Sequence, residues 1–196
     1  MKPVFKDELK SYATMVIFGV MAGLLVVLFC ELPDHDLWSF YYWSSNTYGF
    51  WMFSTSLIVL RSEKRKNAAV NAAIYVFLMF LITTVYVSFR GYWNGTAHFE
   101  SLADLSIHSI RGWLLYSIPP AILCGILGAV LWSGRKHHIY GKILRILPAV
   151  FILGETLLLF HDVFTQHTKL FSAVTDLICF AAYGLILKRG VLTETD

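Results

Sequence analysis

Glu155 lies near the middle of the apolar stretch PAVFILGETLLLFHDVF, which His161 and Asp162 close at its far end. On a helix of 3.6 residues per turn, Glu155 and Asp162 are seven residues apart and share a face. Glu155 falls ~12 Å from Leu147 along such a helix, close to the centre of a bilayer. A carboxylate at that depth costs a few kcal/mol, so it faces the protein interior or a wet cavity and marks a functional position. The plainer alternative is a packing role, with the carboxyl hydrogen-bonded to a neighbouring helix. Asp176, in the next apolar block, is the most direct companion for Glu155.

Three kinds of chemistry are open to these residues. Asp34-His35-Asp36 and His161-Asp162 with His167 supply nitrogen and oxygen donors of the kind zinc accepts, at no defined ligand spacing. His161 beside Asp162 has the makings of a general base, but no nucleophile is marked out beside it, and HExxH, GxSxG and GxGD are all absent. An enzyme is therefore the less favoured reading, and neither a cofactor nor a metal is expected. The third chemistry is capture of a small molecule. Glu155, Asp176, His161 and Asp162 supply the polar groups, and Trp43 and Trp51 supply rings for a small polar or cationic ligand.

The elements that must position these residues are legible in the composition. The chain has 196 residues, 57% of them hydrophobic and 15% charged. Soluble domains are nearer half apolar and a quarter charged. The excess falls in six blocks, at about residues 13–30, 44–60, 68–89, 112–133, 147–164 and 170–187. The expected architecture is all-α: one transmembrane domain over 1–196, a bundle of six membrane-spanning helices. The second block is short, so the run Trp38, Phe40, Tyr41, Tyr42 and Trp43 before it belongs at the membrane interface, as an aromatic belt or a ligand mouth.

Smaller features refine this picture. Residues 101–113 alternate apolar and polar positions and fit a short helix lying on the membrane surface. Pro119 and Pro120 are expected to kink or break the fourth helix near Ser117. Gly19 and Gly23, and likewise Ala121, Gly125 and Ala129, recur every four residues, a spacing that lets another helix approach closely. Cys30, Cys124 and Cys179 show no CxxC or disulfide pattern and read as small packing residues. NGT at 94–96 matches a glycosylation sequon, a short pattern that occurs often by chance.

Charge orients the bundle. With the N-terminus inside, thirteen of the sixteen Lys and Arg fall in inner segments and only Arg90, Arg111 and Lys169 fall outside. Both termini are therefore expected in the cytoplasm, the chain being a multi-pass protein of a bacterial plasma membrane. The same choice puts His35, His98, His108, His161 and His167, most of the loop acids and the aromatic run on the outer side.

The plan resembles the substrate-binding subunits of energy-coupling-factor vitamin transporters. The likeness is one of architecture over the whole chain and rests on no specific motif. It implies six helices, both termini inside, and substrate bound near the outer face. It also implies a first helix whose small residues, here Gly19, Ala22 and Gly23, dock on a shared membrane subunit. The run WSSNTYGFW followed by a basic loop also resembles small uncharacterised six-helix membrane proteins of Gram-positive bacteria. Neither likeness assigns a binding residue. The function expected is binding, and as its extension transport, of a small molecule from the outer side. The rival is a membrane sensor, immunity or interaction protein. The expected partners are membrane lipid, a small-molecule ligand and a partner membrane subunit, with no nucleic acid.

Overall fold

The computed structural model describes residues 8–32, 35–40, 48–96, 99–136 and 138–189. Six α-helices are formed among them: α1 (Glu8–Glu31), α2 (Tyr48–Arg61), α3 (Arg65–Trp93), α4 (Leu102–Leu131), α5 (Ile139–Gln166) and α6 (Leu170–Lys188). A 3-10 turn at Trp132–Arg135 joins α4 to α5. All but α2 are long and apolar enough to cross a membrane, which marks the chain as a multi-pass membrane protein. The 14 residues of α2 reach only ~21 Å against a core of ~30 Å.

Helix α3 is the hub, with its most extensive packing against α4 and α1. In α1 the buried positions are Ser11, Met15, Gly19, Ala22, Gly23, Val26 and Cys30, one face at three- and four-residue steps. A Cβ on Gly19 would come within 2.9 Å of the Tyr75 carbonyl, and one on Gly23 within 2.8 Å of Ile82 Cβ. Close backbone approach is what small residues give helices that lack a hydrophobic driving force between them. The same device joins α4 to α3, where Gly125 faces Ala69 and Ala73, and Gly128 faces Ala72. The small residues of α1 therefore pack inside this chain, contrary to the docking on a separate subunit that the resemblance implied.

Three other expectations change. Residues 102–110 form no separate surface helix: they are the first turns of α4, where Ser101 accepts a hydrogen bond from Asp104 N at 3.2 Å as N-cap. Of the kink or break expected at Pro119 and Pro120, the break is not formed: α4 is one helix from Leu102 to Leu131. Next to them, the buried Ser117 hydroxyl donates to the Trp113 carbonyl at 2.6 Å. Finally, α5 begins at Ile139, well before the apolar block that signalled it.

The two ends of the bundle differ in chemistry. At one end Asn71 donates to Ser11 Oγ and Ser62 Oγ at 2.8 and 3.1 Å. There Trp132 donates to Ser62 O at 3.0 Å, and Arg135 donates to the same carbonyl. This end carries Arg61, Lys64, Arg65, Lys66, Arg145 and Lys188. At the other end Arg90 pairs with Glu31 at 3.2 Å, and Leu170 N donates to Leu37 O at 2.9 Å. The rings of Phe29 and Phe40 each pack on Phe171 at 4.9 Å, and Trp38 stacks on Phe40 at 6.2 Å. The loop-by-loop sorting of charge in the sequence is thus a sorting between the two ends of the folded bundle.

Candidate functional site

Helices α5 and α6 form an antiparallel hairpin, and both pack on α2. Asp176 lies ~9 Å along α6 from its start, and Glu155 ~16 Å along α5 from its end. Both therefore stand well below the aromatic end of the bundle. There they meet the first turn of α2, whose opening N–H groups have no partner within their own helix and form its positive dipole end. Tyr48 N donates to Glu155 Oε1 at 2.6 Å. The Asp176 carboxyl is pressed against Gly49, where the Cβ of any other residue would fall on it. The two carboxyls are direct neighbours, with the N–H groups of Gly49 and Phe50 beside them.

Asp176 is fully buried, at 0% exposure. Neither of its oxygens completes a hydrogen bond of normal geometry among the described residues, and neither does the buried Glu155 Oε2. No Lys, Arg or His among the described residues pairs with either acid. Three buried acceptor oxygens thus converge at the N-terminus of a short helix. Buried polar groups are nearly always satisfied, so the pair is completed by a proton shared between the two carboxyls or by a donor from outside.

A cleft of about 480 Å³ along α5 reaches Glu155, behind which Asp176 is buried. Val150, Phe151, Leu158 and Tyr48 form its walls, Glu155 stands partway along it, and Asp162 and Lys169 lie at its aromatic-end mouth. Glu155 and Asp162 do share the face expected of them. Lys169 Nζ pairs with Asp162 Oδ2 at 2.7 Å, and His161 Nδ1 lies 3.7 Å from Asp162 Oδ1. The turn that brings Lys169 there is unusual. His167 and Lys169 have φ of +53° and +62°, in the left-handed region that non-glycine residues seldom occupy.

The other expected residues are placed differently. Trp51 is drawn into packing between α1, α2 and α3, edge-on to Phe50 at 4.9 Å, and does not line the cleft. Trp43 lies outside the described residues, as does Asp34 of the DHD run. Among the described residues no three His, Cys, Asp or Glu side chains gather as a metal site would require. Sequence reasoning missed Gly49 and Lys169. Gly49 had a signal, being a lone small residue in the aromatic run Tyr48-Gly49-Phe50-Trp51. Lys169 had none, because its reach to Asp162 depends on a left-handed turn. No protein family, no curated protein and no solved structure matches this chain.

Proposed function

We propose that the protein captures a small organic cation, a primary ammonium with an apolar body, from the side of the membrane at its aromatic end. One observation carries this reading: Glu155 Oε2, Asp176 Oδ1 and Asp176 Oδ2 are buried together, none completing a hydrogen bond of normal geometry and with no Lys, Arg or His of the described residues paired to either acid. A primary ammonium brings three N–H donors and one positive charge to those three acceptors. The apolar walls of the 480 Å³ cleft suit the body of such a ligand.

The membrane setting belongs to the same proposal. Helix α1 ends at the aromatic end and α2 ends at the basic end, so the chain crosses between residues 31 and 61, giving six crossings. The concentration of Lys and Arg places the basic end, and both termini, in the cytoplasm of a bacterial cell. The cleft then opens outward, as capture or uptake of an external solute requires.

Thermal unfolding of the purified full-length protein tests the ligand. We expect n-butylammonium chloride to raise the unfolding temperature. Tetramethylammonium, which has the charge without donors, and Na⁺ at equal ionic strength should leave it unchanged. A ligand at a hundredfold its dissociation constant stabilises by about 2.7 kcal/mol. Equal stabilisation by butylammonium and tetramethylammonium, or by neither, overturns the assignment, and stabilisation by Na⁺ alone reassigns the pair to an inorganic ion.

A further inference from the structure

A second opening lies on the far side of α2. Helices α1 and α2 both pack on α3 but make no extended contact with each other. Between them runs a groove of about 690 Å³. Its walls include Phe18, Met21 and Leu25 of α1 and Phe53 and Leu57 of α2, and its floor includes Tyr75 of α3. The hydroxyls within it are already engaged: Tyr75 OH donates to Ser54 Oγ at 3.0 Å, Ser54 Oγ to Phe50 O at 2.9 Å, and Thr14 Oγ1 to Lys10 O at 2.8 Å. One charged group lines the groove, Arg61, at its basic end. Arg61 is exposed and makes no hydrogen bond or ion pair among the described residues.

We infer that this groove is a site for one anionic phospholipid of the leaflet at the basic end, with its phosphate on Arg61 and an acyl chain along Leu57, Phe53 and Phe18. Three features select that occupant. First, the α2 wall runs from Phe50 to Arg61, ~16 Å at 1.5 Å per residue. That is one leaflet of a ~30 Å core, enough for a lipid chain and about half of what a spanning helix of a partner protein needs. Second, polarity is graded along it, with a free cation at the interface end and aromatic and aliphatic side chains beyond. Third, the guanidinium holds a phosphate through paired N–H donors, and Lys64, Arg65 and Lys66, which follow Ser62 and Glu63, leave the segment net positive and favour a net negative headgroup. This site shares no lining residue with the carboxylate cleft and stands independently of the amine proposal.

Native mass spectrometry of the full-length protein in a mild detergent tests it. Dioleoyl phosphatidylglycerol and dioleoyl phosphatidylcholine are titrated separately. We expect one phosphatidylglycerol to be retained more tightly than phosphatidylcholine. R61Q should weaken phosphatidylglycerol about fivefold, the factor one basic residue contributes at an anionic surface, and weaken phosphatidylcholine less, because the choline cation already offsets the phosphate that both lipids carry. K142Q, at the same end but off the groove, should change neither. L57W, which fills the groove, should remove the one-to-one lipid of either kind. Equal retention of the two lipids by the parent protein overturns the inference. So does a loss in K142Q as large as in R61Q, which reduces the effect to general surface charge. Unchanged phosphatidylglycerol binding in R61Q overturns it whether or not L57W folds.

Discussion

Gly49 and Asp176 are in direct contact: the missing side chain of one residue is the space that the carboxyl of the other occupies. The contact joins α6 to the first turn of α2, and Tyr48 N joins the same turn to Glu155 on α5. Three helices thus define one small volume. Gly49→Ala puts a methyl group into it. Overpacking of this kind costs about 1–3 kcal/mol and displaces the carboxyl from the helix end. The expected result is a lower unfolding temperature together with loss of butylammonium stabilisation. A variant that unfolds earlier yet responds fully to the amine would show that ligand binding does not need this contact.

Glu155→Gln and Asp176→Asn keep size and remove charge. No cation of the chain stands beside them among the described residues, so the amide of either variant gives up no ion pair within the protein. Each variant is therefore expected to unfold at the same or a higher temperature than the parent, and to lose at least tenfold in butylammonium affinity, about 1.4 kcal/mol. Thermal unfolding with and without amine measures both quantities. If Glu155→Gln retains the parent's amine response, Glu155 is a packing residue that caps α2 and nothing more.

The pairing of Glu155 with Asp176 was legible because an acid inside an apolar block is rare and costly, and because adjacent blocks joined by a short loop pack antiparallel. The ends of α4 and α5 were not. Residues 102–110 are polar enough to read as a separate surface helix and 139–146 as a loop, but their backbone hydrogen bonds are satisfied locally and the helices continue beyond the apolar stretch. Hydropathy marks what the lipid requires and not where a helix stops. Gly19 and Gly23 told of a close helix neighbour without saying which, since spacing carries no address. Trp51 misled for a related reason: a ring near the start of α2 can face either side, and packing against α1 and α3 decided it.

Gly19 and Gly23 give a test that separates internal packing from docking. Gly19→Leu forces a side chain into the Tyr75 carbonyl and Leu78. The α1–α3 interface would have to open, so the isolated protein is expected to lose about 1–3 kcal/mol or more of stability. Chemical or thermal unfolding of purified protein reads this directly. A Gly19→Leu protein as stable as the parent would return these residues to the role of a surface for another subunit.

Orientation can be checked with single cysteines in a background where Cys30, Cys124 and Cys179 are replaced. Positions 35–38 and 99–104 are expected to react with a membrane-impermeant maleimide added to intact cells. Positions 62–66 and 138–142 should react only after lysis. Reaction of residue 64 in intact cells would invert the bundle and place the carboxylate cleft on the cytoplasmic side.

Lys169 is the remaining lever, because its ammonium at 2.7 Å from Asp162 Oδ2 is a cation already standing at the mouth of a cleft proposed for cations. Lys169→Gln removes one positive charge and leaves Asp162 beside His161 alone. The mouth becomes more negative, so an arriving ammonium is attracted over a longer range. Association of butylammonium with reconstituted protein is expected to accelerate about threefold at 10 mM salt, where the screening length is about 30 Å, and to match the parent at 1 M salt, where it is about 3 Å. Affinity at Glu155 and Asp176 should change less than the rate, since Lys169 touches neither. A slower association at low salt would mean that Lys169 holds the left-handed turn, and with it the mouth, in its open form; the electrostatic account would then be wrong.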